Sequence, residues 1–106
     1  MQLGDVTVET ERGEVVDTIP FHLSRFLHIV RSRMSEADLG KTYCLQFIAD
    51  YCDTTFNRFQ SRVLVREIEE LRPTGEPENE RYLTTLTDLL TKYQDQTHLY
   101  VKFYGD

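Results

Sequence analysis

The sequence predicts an α+β fold: an N-terminal β-hairpin, three to four amphipathic helices, and a C-terminal strand joining a small antiparallel sheet. Three observations carry that prediction. Apolar residues alternate with polar ones at period 2 near both ends of the chain, they recur at three- and four-residue spacing between, and turn-forming residues separate these stretches. At 106 residues the chain has the size of one ordinary domain, so residues 1–106 are read as a single globular unit.

Residues 5–10 read DVTVET, with Val6 and Val8 alternating with polar neighbours, and EVVDTI follows at 14–19. Gly13 tolerates the positive φ of a tight turn, so the two runs form a hairpin. Thr18 and Pro20 mark the start of a helix, where a proline's missing N–H costs nothing. Leu23, Phe26, Leu27, Val30 and Met34 then form one apolar stripe. Ser35 is placed to cap a further helix, with Glu36 and Asp38 in its first turn.

Residues 41–72 contain neither Gly nor Pro, and Tyr43, Cys44, Phe47, Ile48, Tyr51, Cys52, Phe56, Phe59 and Val63 follow helical spacing. One helix of 32 residues would be about 48 Å long, more than a domain of this size is wide. A break is therefore expected near Asp53-Thr54-Thr55 or near Gln60-Ser61, with Ser61 capping the second piece. A strand through residues 62–66 is the lesser alternative, prompted by the valines of RVLVR. PTGEP at 73–77 is a loop, and Pro77 opens a helix along which Tyr82, Leu83, Leu86, Leu89, Leu90 and Tyr93 repeat. HLYVKFY at 98–104 alternates Leu99, Val101 and Phe103 against His98, Tyr100, Lys102 and Tyr104, a strand expected to pair with the hairpin into three strands.

Composition removes several classes. Six Phe and six Tyr are too apolar for an intrinsically disordered segment, and no apolar run approaches the roughly 20 residues that span a bilayer. MQLGDVTVET has neither a basic nor an apolar leader region, so no signal peptide is expected. Twelve basic against eighteen acidic residues give a net charge of −6, which disfavours a polyanion as partner and favours a basic one. The acid is concentrated in residues 1–20 (net −4) and 73–106 (net −3), while residues 21–34 carry Arg25, Arg31 and Arg33 without acid.

Catalytic and metal chemistry finds little footing. Cys44 and Cys52, eight residues apart on one expected helical face, are too far apart to bridge and read as buried reduced thiols, pointing to the cytoplasm. His22 and His28 sit about 240° apart around a helix, and no chelating spacing joins them to His98 or to a cysteine, so no metal is expected. The five glycines are isolated, so no phosphate-cradling loop or cofactor site is expected either. Asp50 and Asp53, one helical turn apart, read as a solvated face.

The leading expectation is a non-catalytic protein-interaction domain that binds, and in the immunity or antitoxin manner inhibits, a basic partner protein. In size and acidity the chain is similar to small bacterial immunity proteins and antitoxins, a likeness of composition that no motif carries. The expected docking face places Tyr100 and Tyr104 outward beside Glu9, Glu11, Glu14 and Asp17, an aromatic anchor with an acidic rim. Cover by another helix or by a second copy of the chain competes with that reading, and a homodimer is one form of it. The alternative function is a nucleic-acid-associated regulator using Arg58, Arg62 and Arg66, one guanidinium stripe at i, i+4 and i+8, together with Arg25, Arg31 and Arg33. Pairing of Arg66 with Glu69 and Glu70 is the competing explanation of that stripe. A small enzyme using Cys44 or a histidine is the third class.

Overall fold

The alternating stretches at the two ends of the chain meet at the centre of the structure. In the computed structural model, which describes residues 4–105, β1 (Val6–Thr10) lies between β2 (Val15–Thr18) and β4 (Leu99–Phe103). A fourth strand, β3 (Thr54–Phe56), pairs with the far edge of β4. All pairings are antiparallel and the order is β2-β1-β4-β3, one strand more than the sequence suggests. The hairpin turn uses Gly13 at φ 84°, with Gly13 N–H donating to Thr10 C=O over 2.9 Å. A bulge between Val8 and Glu9 shifts the register against β2.

Period 2 sorts the side chains. Val6 opposes Phe103 and Val8 opposes Val101, and together with Phe56 these form the buried face of the sheet. The helices supply the rest of that core. From α1 (Leu23–Arg33) come Leu23, Phe26, Leu27, Ile29 and Val30, and from α4 (Pro77–Lys92) come Leu83, Leu86, Leu89 and Leu90. Phe103 sits among Phe21, Phe26 and Phe56, with ring centroids 5.8–6.4 Å apart. The helix after Pro20 begins only at Leu23, because Thr18 is still in β2 and His22 takes the capping position. The Tyr82 hydroxyl of α4 ties that start down, accepting from His22 N–H over 3.0 Å and donating to its C=O. Burial pushes the Tyr82 hydroxyl up to about 12. Ser35 caps α2 (Glu36–Leu39), as its position predicts, but the helix is a single turn.

Residues 41–57 are the main correction. They form no helix but a short 3₁₀ turn at Leu45–Phe47, an Ala49–Cys52 bridge and then β3. The cause is a single buried acid. Glu67 of α3 (Arg58–Glu69) accepts from the backbone N–H groups of Tyr43 (2.6 Å), Cys44 (3.0 Å) and Leu45 (3.0 Å), which a helix would otherwise employ. Thr42 adds a side-chain acceptor for Gln46 N–H at 2.9 Å. The helix after β3 is capped by Asn57, not Ser61, through a reciprocal box with Gln60, both bonds 2.9 Å. Ser61 is buried inside α3, and the valines of RVLVR are helical.

The cysteines part accordingly. Cys44 is buried, its thiol pushed up by desolvation and then by the nearby Glu67 carboxylate, whereas Cys52 is exposed. Asp50 and Asp53 share no helix: Asp50 lies 3.7 Å from Arg31, while Asp53 accepts from Gly105 N–H at 3.0 Å and faces Lys102 at 3.9 Å. Among the described residues no helix is long and apolar enough to cross a membrane.

Candidate functional site

The helices pack on the Val6–Val8–Val101–Phe103 side of the sheet, and the opposite side carries Thr7, Glu9, Val15, Thr55, Tyr100, Lys102 and Tyr104. Thr55 and Val15 are exposed there, and Tyr100, Lys102 and Tyr104 are half-buried. A polar network occupies the middle of this face. Thr7 and Tyr104 both donate their hydroxyls to Glu9 Oε2, and Glu9 is only 6% exposed. Desolvation, followed by the bond to Glu9, raises the Tyr104 hydroxyl above its ordinary range. The Lys102 ammonium lies 4.7 Å from the centre of the Tyr104 ring and 3.9 Å from Asp53 Oδ2, so β4 and the start of β3 are joined across the face.

Register brings Glu9 directly opposite Tyr100. Between them and the hairpin turn lies a depression of about 370 Å³ bordered by Glu9, Glu11, Gly13, Thr55, Tyr100 and Lys102. Glu11, at the turn, holds His98 Nδ1 at 2.7 Å, and His98 takes a positive φ of 65° immediately before β4. The bond pins the hairpin tip to the start of the last strand. Glu14 is exposed on the same turn, and its N–H donates to Thr10 Oγ1 at 3.2 Å.

Asp17 does not join this group. It opposes Val8 on the helical side of the sheet, where it accepts from the Tyr93 hydroxyl at 2.7 Å and from Lys92 Nζ at 3.3 Å. The Tyr93 bond in particular holds its carboxyl below the usual aspartate range. Of the six residues expected at the docking face, Glu9, Tyr100 and Tyr104 share the open face and Glu11 rims it, whereas Glu14 stands at the hairpin turn beside Thr10 and Leu99, and Asp17 fastens the edge strand to α4.

No match comes from protein families, curated proteins or solved structures. The site therefore rests on geometry alone.

Arg58, Arg62 and Arg66 all lie on α3, at the i, i+4 and i+8 spacing of one helical stripe. Arg58 and Arg62 flank the exposed Phe59, 4.6 and 5.9 Å from its ring centre, and Arg62 also bonds Asp95 at 2.8 Å. Arg66 points into a separate cleft of about 630 Å³ with Arg33, Lys41 and three acids, Asp38, Glu67 and Glu70. Arg25 lies over Tyr82 and near Glu78, Arg31 faces Asp50, and Glu69 pairs with Arg72 and not with Arg66. Acids accompany Arg25, Arg31 and Arg62, while Arg33 and Arg66 line one cleft together.

Sequence reasoning did not single out Thr7, Lys102 or Glu67. For Thr7 the signal was present, because the alternation that buries Val6 and Val8 assigns Thr7 to the face of Glu9. Lys102 stands between the two tyrosines for the same reason. Glu67 left no trace, since its partners are backbone groups of a distant loop.

Proposed function

We propose that the protein is a binding module without catalysis of its own, and that the open face of the sheet, with its hairpin rim, docks on a basic partner protein. The observation that supports this reading best is the juxtaposition of Tyr100 and Tyr104 with Glu9 and Glu11 on one side of a four-stranded sheet whose other side is spent on the core. Tyrosines held half-buried in a sheet offer contact area with little rotamer entropy left to lose. An acidic rim accelerates encounter with a cationic surface and opposes polyanions. Where that cationic surface is the substrate-binding face of a nuclease, covering it would inhibit, which is how an immunity-type protein would act.

The reading is tested by capture from cell extracts at low and high salt, with wild-type protein and with Tyr100→Ala as baits. The expected result is a salt-sensitive complex whose affinity falls by more than about 2 kcal/mol in Tyr100→Ala, the usual cost of losing a hot-spot aromatic. Recovery of free monomer alone at low salt, or equal capture by both baits, rejects it.

A further inference from the structure

We infer that the depression beside Glu9 is a receptor for a guanidinium group, the side chain of an arginine on the partner, stacked on Tyr100 and paired with the free oxygen of Glu9. The inference rests on the docking role of this face and specifies its chemistry.

The deciding feature is the unequal use of the two Glu9 oxygens. Oε2 takes both hydroxyl bonds, from Thr7 and Tyr104. Oε1 has no hydrogen-bond partner among the described residues, yet it is not sealed from solvent. Glu9 is more than nine-tenths buried, and two hydroxyl donors on Oε2 fix the position of its carboxylate. It therefore presents one acceptor, already oriented, to whatever enters a space of about 370 Å³. Pre-organisation of this kind lowers the ordering cost of binding.

The walls narrow the ligand. Tyr100 stands across from Glu9 in the strand register and borders the depression. Gly13 leaves the space beside the acceptor clear: a side chain begun there would lie 4.0 Å from Glu9 Oε1. Glu11 contributes a second carboxylate at the rim, partly engaged by His98. Lys102 is the one cation on the border, and its ammonium is drawn toward Asp53 and the Tyr104 ring. A planar cation fits these terms better than an ammonium. Guanidinium is weakly hydrated, stacks on aromatic faces and presents several donors at once to carboxylates. Anions meet Glu9 and Glu11, and an apolar side chain would bury Oε1 without a partner.

The experiment is a titration of the whole protein with N-acetyl-arginine amide, followed by ¹H–¹⁵N NMR, with N-acetyl-citrulline amide as the neutral isostere. The arginine derivative is expected to saturate with Kd on the order of millimolar, shifting Glu9, Gly13, Thr55 and Tyr100, while citrulline gives no saturable shift. Glu9→Gln keeps an acceptor for the two hydroxyls but turns an amide toward the opening, and weakens binding about tenfold. Tyr100→Ala weakens it about fivefold and decides the matter if Glu9→Gln fails to fold. Equal binding of the two amides, shifts confined to other acidic surfaces, or unchanged affinity in the folded variants overturns the inference. A captured partner that depends on Tyr100 while the arginine amide does not bind removes this inference alone, whereas loss of both removes the docking face itself.

Discussion

Removing the Glu67 carboxylate should unfasten the segment that leads into β3. Glu67 is 8% exposed and accepts three consecutive backbone N–H groups, from Tyr43, Cys44 and Leu45, at 2.6, 3.0 and 3.0 Å. A hydrogen bond to a charged group contributes about 1.5–3 kcal/mol, and an abandoned buried donor costs about 1–3 kcal/mol. The three bonds share one acceptor group and so do not add. Glu67→Ala is therefore expected to lose about 3–5 kcal/mol, a large part of the stability of a domain this size. Glu67→Gln keeps one carbonyl oxygen for Cys44 and Leu45 but turns its amide toward Tyr43 N–H, and should lose about half as much. Urea unfolding followed by circular dichroism measures both. The order Ala worse than Gln, with the exposed neighbour Glu70→Ala within about 0.5 kcal/mol of wild type, is the expected pattern. A Glu67→Ala protein within about 1 kcal/mol of wild type, with the amides of Cys44 and Leu45 still protected from exchange, would refute the reasoning.

Thiol labelling of the native protein should modify Cys52 alone, with Cys44 reacting only on unfolding because it is buried and its thiol is raised by desolvation; two native-state equivalents would contradict that placement. Asp17, whose carboxyl is lowered chiefly by the Tyr93 hydroxyl, contributes stability that is fully present above the ordinary aspartate value and lost as pH falls through its depressed one. The stability difference between wild type and Asp17→Asn should therefore shrink from about pH 5 to about pH 2, and a difference independent of pH would count against the bond. A Cβ at Gly105 would stand 2.5 Å from the Cys52 carbonyl oxygen and 2.7 Å from its nitrogen, so Gly105→Ala should cost about 1–3 kcal/mol by displacing the turn at 49–52. An unchanged unfolding midpoint would show that this turn yields freely.

What could be read from the sequence was whatever local periodicity fixes. Leu83, Leu86, Leu89 and Leu90 declare α4 by their spacing, and Leu99, Val101 and Phe103 declare β4, because in each case the element's own repeat selects the face it buries. Residues 41–57 imitate a helix by the same measure, yet their backbone is claimed by Glu67, a group with no periodic relation to them. β3 escaped notice because three residues are too few to show alternation, and its existence depends on the edge that β4 leaves free. At the candidate site the tyrosines and most of the acids were legible from period 2. The bulge, the position of Asp17 and the burial of Glu9 were not, since a side chain's burial on an open face depends on the neighbours that lean over it.

The strand order has a consequence for how the molecule comes together. β2 is attached to the sheet through β1 and β3 through β4, so the seam between β1 and β4 holds the two halves in register. That seam pairs Val6 with Phe103 and Thr10 with Leu99, so closing it means closing a loop of about ninety residues. Helices and the hairpin can form early from near neighbours, but the sheet cannot be completed until the ends of the described chain find each other. Folding should therefore be slow for a chain this short. The backbone amides of β1 and β4 should exchange only through global opening, while those of β2 and β3 exchange through cheaper, local detachment.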